Sequence, residues 1–511
     1  MTSLPAPPLT QPTPRPALYT QRSYRLWWVA DTSALLAGNF YAFLIPLLLL
    51  AATGSPAQAG ALAALGLTAR TVVTLAGGAM ADRRDRARMI VFGSLLGAIL
   101  AGTLTLLAFV DSLTAIVLSV AHVAMELRSG YFGSTTNAAL KDVVHPDQLG
   151  RAMAANQARD SGLALLVAPA AGALLGLGAG LALLCITAAQ LIAAGAGRAL
   201  RAPLRAARAK SSAVEAGGVR DGVLAGLRWC FGHRRLRILL LIAALINLGT
   251  GGMSTTLIYG LQQRGEAPWV IGLITTAMGV GMLFGSILAS RLIERFRTGL
   301  LACSCLSVLA AGIVLMGLNT QLWWMGAMLA LAFFSVPALN AGVGGYFLAT
   351  VPHELAGRAS SILLFMALVA APLAPILAGL GLQLLGLSTT LLCFGVLVAL
   401  AAVAAWGSRS IRTIPRPDQW QDPTPHDAMS ATTLNHEHPR SEAKTSHLEG
   451  EIIMKTTAPT HQTRATHGSP PHKASHSEAR QHHAPFAHSA EFRRRKDEQR
   501  STLRQEQWIY L

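Results

Sequence analysis

Twelve apolar stretches, each long enough to cross a bilayer core of roughly 30 Å with about 20 residues, constrain this chain more than any other feature. They fall at 26–51, 57–80, 89–110, 113–136, 155–177, 179–197, 237–261, 269–290, 299–318, 322–348, 360–384 and 387–407. A soluble surface is excluded, because only 13% of the 511 residues are charged, against about 25% in an ordinary soluble domain. Most runs are uniformly rich in Leu, Ala, Val and Gly, without the alternation of a transmembrane barrel strand, so the expected fold class is an all-α membrane protein of twelve transmembrane helices.

A net charge of +17 would suggest nucleic acid in a soluble protein, but here the placement of the charges decides. The loops after helices 2, 4, 6, 8 and 10 hold 21 Lys and Arg, and the opposite loops hold one, Arg264. The 21 are Arg83, Arg84, Arg86 and Arg88, then Lys141, Arg151 and Arg159, ten from Arg198 to Arg237, then Arg291, Arg295, Arg297 and Arg358. Positive loops stay inside, so the even-numbered connections and both termini are predicted to be cytoplasmic and the helix count even. The five cysteines lie in helices or in the central loop, which predicts no disulfide. The proline-rich start is followed by a run too long for a signal-peptide core, read as a retained first helix.

The longest internal connection divides the helices six and six, and a repeat is visible across it. Leu149-Gly150-Arg151-Ala152 after helix 4 is echoed by Ala356-Gly357-Arg358-Ala359 after helix 10, 207 residues later. In the following helices Ala168-Pro169-x-x-Gly172-Ala173 is echoed by Ala374-Pro375-x-x-Ala378-Gly379. The predicted organisation is an N-terminal segment 1–25, a six-helix bundle 26–197, a basic central loop 198–236, a second bundle 237–407 and a His-rich tail 408–511. The tail is too polar to offset its ordering entropy and is expected to be disordered.

Between helices 2 and 3 runs Gly78-Ala-Met-Ala-Asp82-Arg83-Arg84-Asp85-Arg86-Ala87-Arg88. It resembles the signature loop of the major facilitator superfamily, Gly-x-x-x-Asp-Arg-x-Gly-Arg-basic, with Asp85 in place of the Gly and Ala87 in place of the last basic residue. The resemblance extends over about residues 20–407 and implies two pseudo-repeated six-helix bundles, alternating access, and a cytoplasmic gate formed by Gly78, Asp82, Arg83 and Arg86. Arg25-Leu-Trp with Ser33 and Gly38 is similar to the enterobactin-exporter and macrolide-efflux branch. Pro169 and Gly172 in helix 5 resemble a degenerate copy of the antiporter motif Gly-Pro-x-x-Gly-Gly, which implies export.

Ionisable residues inside membrane helices are costly and by default mark substrate or ion pathways. Asp31 in helix 1, Arg70 in helix 2, and Glu126 with Arg128 in helix 4 are the candidates, and Asn39 stands where relatives often carry an acid. The resemblance places helices 1 and 4 on the central cavity. Glu126 and Arg128 are two residues apart and cannot share a face. Either Glu126 exchanges a coupled proton, or the charges form structural pairs, Glu126 with Arg70 or Arg128 with Asp31, and both readings stand.

Eleven of the fifteen histidines lie between His426 and His488 without the spacing of a metal site. Nucleotide loop, nucleophile elbow and zinc spacing are all missing, so neither enzyme nor cofactor is expected. The expected partners are a small molecule, protons and the bilayer, without ATP or nucleic acid. The chain reads as an inner-membrane, proton-coupled exporter of a small, partly apolar molecule such as a drug or siderophore. An importer of the same fold, or a non-transporting membrane scaffold or sensor, remains the alternative.

Overall fold

The computed structural model of the protein describes residues 17–202, 234–350 and 371–420. Helices α1 (Arg22–Thr53), α2 (Pro56–Arg83), α3 (Arg86–Phe109), α4 (Ala115–Phe132), the short α5 (Thr135–Val143), α6 (Pro146–Leu177) and α7 (Ala179–Ala199) pack as a first bundle. Helices α8 (Arg234–Gln263), α9 (Pro268–Arg295), α10 (Thr298–Leu318), α11 (Leu322–Phe334), α12 (Val336–Thr350) and α13 (Leu373–Gly407), with the one-turn α14 (Arg409–Arg412), form the second. Nine spans among the described residues are long and apolar enough to cross a bilayer. Helices α2 and α4 cross between them, and α13 breaks at Gly386 (φ 76°, ψ 178°) into two arms, with Gly381 lying against Thr390. The expected fold class, twelve crossings in two six-helix bundles, is therefore found.

Local chemistry fixes the turns. Gly54 caps α1 in the left-handed conformation, then Ser55 caps α2 by accepting from the Gln58 N–H, with Pro56 in the first turn. Gly178, Gly265 and Gly386 also have positive φ, and all four glycines sit at the end of the molecule poor in arginine. Only glycine turns there without strain. Gly54 and Gly265 occupy equivalent turns of the two bundles, as do Gly178 and Gly386, at separations of 211 and 208 residues. Those separations match the offset of the sequence echoes and support an internal duplication.

Exposed apolar side chains face where lipid would be. Phe92, Ile99 and Leu106 recur every seventh residue along one side of α3, and Trp269 and Trp323 mark the arginine-poor end, as interfacial aromatics do.

Four sequence expectations are corrected. Helix 4, expected to run to 136, ends at Phe132, and the separate α5 follows after Gly133 and Ser134. Helix 5, expected from 155, starts at Pro146, so Arg159 lies inside α6 with its side chain 8% exposed and is not a loop cation. Helix 10 is divided at Ser335 into α11 and α12, because Pro337 has no N–H to continue the ladder. The tail, expected to be disordered from 408, is ordered through Trp420. Ile411 and Ile414 are buried in the second bundle, the Gly299 N–H donates to the Ile414 carbonyl at 3.2 Å, and Trp420 meets the Tyr346 ring edge-on.

Candidate functional site

The two bundles meet in a pair of matching crossings at the arginine-poor end. In one, Gly172 of α6 lies on the Pro268 carbonyl and Trp269 backbone of α9, while Gly272 of α9 lies on Ala168 and Pro169 of α6. In the other, Gly379 of α13 lies on Pro56 and Ala57 of α2, while Gly60 of α2 lies on Pro375 of α13. No side chain fits between these backbones, which is what small residues permit in a membrane. Hydrogen bonds join the same region: Ser55 Oγ to Gln383 Oε1 at 3.1 Å, Thr276 Oγ1 to the Leu165 carbonyl at 3.3 Å, and Gln262 Nε2 to the Leu47 carbonyl at 2.8 Å. The helix 5 motif, Pro169 with Gly172, thus forms one of the two close contacts between bundles, and its sequence echo forms the other.

Deeper in the first bundle lies a polar cluster contributed by α1, α2 and α4. Glu126 is buried, and its Oε2 stands 3.6 Å from Nη1 of Arg70, whose side chain is 47% exposed. Among the described residues that oxygen has no hydrogen-bond donor. One turn earlier on the same face of α4, the buried His122 bonds to the Tyr41 hydroxyl through Nδ1 at 3.0 Å and to the Ala63 carbonyl through Nε2 at 3.2 Å. A carbonyl only accepts, so Nε2 carries the hydrogen and Nδ1 accepts from Tyr41. The sequence pairing of Glu126 with Arg70 is present, whereas His122 and Tyr41 were missed. The available signal was a His four residues before Glu126, hence on its face.

Arg128, whose charge interacts with Glu126 and Tyr41, is anchored on α3. Its Nη1 donates to the Gly93 carbonyl of α3 at 2.9 Å, in space that a side chain at Gly97 would fill. It therefore does not pair with Asp31, the partner considered from sequence. Asp31 belongs to a second cluster, in which Arg159 Nη2 reaches Asp31 Oδ2 at 2.6 Å, Nη1 reaches Thr32 Oγ1 at 3.0 Å, and Nε reaches Asp160 Oδ1 at 2.8 Å. Trp28 flanks the guanidinium at 6.0 Å. Asn39 is half-buried, next to the exposed Gly38.

Of the gate residues, Gly78 and the side chains of Asp82 and Arg83 lie outside the described residues. Arg86 Nη1 grips α5, bonding both oxygens of Asp142 at 2.8 and 2.9 Å and the Ala138 carbonyl at 3.0 Å. The echo at 356–359 and most of the central loop also lie outside the described residues.

Residues 239–454 match the sequence profile of the Major Facilitator Superfamily. Among solved structures, the chain resembles a bacterial homolog of the human lysosomal transporter Spinster in an inward-facing, unoccupied conformation. Identity is 15%, with a TM-score of 0.60 over 79% of this chain and 99% of that one. A bacterial homologue of the iron transporter ferroportin in its inward-facing state gives 16% identity and a TM-score of 0.56, covering 80% of this chain and 100% of that one. The nucleoside transporter NupG gives 12% and 0.56, covering 76% and 98%. No curated protein matches the chain. These likenesses establish the major facilitator fold.

Proposed function

We propose that this protein is a secondary active transporter that exports a small, partly apolar molecule in exchange for protons, by alternating access between its two bundles. The observation that carries this reading is Glu126: a carboxylate in the membrane, nearly covered, with one oxygen that no described residue bonds and a long ion pair to a half-exposed arginine. A purely structural acid would be expected to have its lone pairs satisfied. An acid that must take up and release a proton, or receive a donor from a ligand, needs one free.

The basic end is cytoplasmic in this reading, and the glycine crossings close the outer side. Away from the helix ends, the acids and the arginines of the described spans, Asp31, Glu126 and Asp160 with Arg70, Arg128 and Arg159, belong to the first bundle. The second bundle offers neutral polar groups such as Asn247, Thr250 and Asn340, which suits a substrate held by apolar contact and hydrogen bonds. Helix 5 and the likeness of helix 1 to the enterobactin-exporter and macrolide-efflux branch support export. Gly78, Asp82, Arg83 and Arg86 serve as the inner gate, with Arg86 fastening α5 to α3.

Accumulation of a panel of labelled drugs and siderophores in cells with and without the protein tests this. Lower accumulation that an uncoupler abolishes supports it. Raised, energy-dependent accumulation would make the protein an importer.

A further inference from the structure

We infer that His122 is a second proton-binding group of the coupling site, and that its protonation tightens the outer seal by strengthening its hold on the backbone of α2. The inference rests on the transporter reading and deepens it. It stands on the position of Ala63, whose carbonyl accepts from His122 Nε2. Ala63 is three residues from Gly60, which lies on the Pro375 carbonyl in the α2–α13 crossing. The histidine therefore grips the same turn of α2 that closes the outer side.

The bonding pattern accommodates exactly one more proton without moving a heavy atom far, since the neutral ring accepts from Tyr41 at Nδ1. When a proton binds Nδ1, that nitrogen becomes a donor, and the Tyr41 hydroxyl rotates to present a lone pair. The Nε2 bond to Ala63 is kept and becomes charge-assisted, roughly twice as strong as the neutral bond. The new positive charge has its counter-ion on its own helix, because Glu126 follows one turn later.

The groups around His122 are Tyr41 from α1 and Glu126 from α4 itself, and Glu126 and Tyr41 also feel the charge of Arg128 on α4 while Arg70 of α2 pairs with Glu126. Helix α3 brings no titratable side chain between Ser94 and Leu107. Charging His122 draws Glu126 from Arg70, so the long Arg70–Glu126 pair loosens as the His122–Ala63 bond tightens. Gly66 is part of the device, because any side chain there would run into the imidazole ring. In an antiporter the sequence has the required sense: proton uptake closes the outer side and commits the carrier to turn inward.

The test needs no substrate. Ala57, whose backbone faces Gly379 in the crossing, is replaced by cysteine in a chain whose five native cysteines are changed to alanine. Intact cells are treated with an uncoupler so that both faces share the buffer pH, and a membrane-impermeant maleimide is added. Labelling, expressed relative to a cysteine at the exposed Asp111 in the same background so that the thiol's own ionisation cancels, should slow about tenfold as pH falls from about 8 to 5 and His122 takes up its proton. In H122Q the relative rate should no longer depend on pH. Y41F keeps the grip on Ala63 but removes the Nδ1 partner, so it should move the midpoint and leave the amplitude. A pH-independent relative rate in the Ala57→Cys chain, or an unchanged relative pH response in H122Q at normal yield, would overturn the inference. Either result leaves the transport reading standing, because that reading is decided by accumulation and not by labelling.

Discussion

Arg159 of α6 and Asp31 of α1 are joined at 2.6 Å, with side chains only 8% and 11% exposed. This bond ties the first helix to the fifth, and Asp160 gives the guanidinium a second carboxylate at 2.7 Å. Removing one partner of a buried pair leaves an uncompensated charge and costs about 3–5 kcal/mol. Asp31→Asn should fall below that range because Asp160 remains. Arg159→Gln should be the more damaging change, leaving two acids close together. Thermal unfolding of the purified variants in detergent checks the order, and equal stability of the two would contradict it.

The helix 5 glycine gives a different prediction. A branched side chain at Gly172 has no space against the Pro268 carbonyl, and overpacking of this kind costs about 1–3 kcal/mol. The cost falls on the closed seal and not on either bundle. Gly172→Val should therefore be made in normal amounts while a cysteine placed at Thr276 becomes much more reactive from outside. Unchanged labelling would mean that the crossing does not seal the outer end.

Much of this architecture was legible because a bilayer leaves few options: apolar runs must be helices, and arginine placement gives their direction. The Glu126–Arg70 pair was legible for the same reason, since a membrane acid must find a partner. Arg159 was not, because a cation near a helix end reads equally well as a loop residue until the helix start is known. His122 was hidden by being a lone histidine in an apolar helix, whose bond to Ala63 depends on packing against α2. The reciprocity of the glycine crossings was half visible as a sequence echo, but the partners Pro56 and Pro268 are set by three-dimensional contact alone.

The segment after α13 offers a test by truncation. Ending the chain after Trp420 should leave the second bundle intact, whereas ending it after Ser408 removes the buried Ile411 and Ile414. Burying two such side chains contributes roughly 1.5–3 kcal/mol each. The shorter product should melt earlier and accumulate less in membranes, and identical melting of the two would mean that the docked segment contributes nothing.

Orientation follows from arginine placement and is checked independently. Asp111, exposed in the turn after α3, should react with an impermeant maleimide in intact cells once changed to cysteine. Arg84→Cys, at the basic end of α2, should not. Labelling of Arg84→Cys alone would invert the molecule and with it the assignment of the glycine crossings to the outer side.

The central claim, that a proton on the α4 cluster drives export, is met most directly at Glu126. Glu126→Gln keeps the shape of the side chain but fixes it neutral, so uphill efflux driven by a pH difference should vanish while protein levels and downhill movement of the same labelled compound persist. The measurement is efflux of that compound from cells under an imposed pH gradient, wild type against Glu126→Gln at matched expression. Loss of the uphill component alone is the predicted result, and uphill efflux at the wild-type rate would contradict the account.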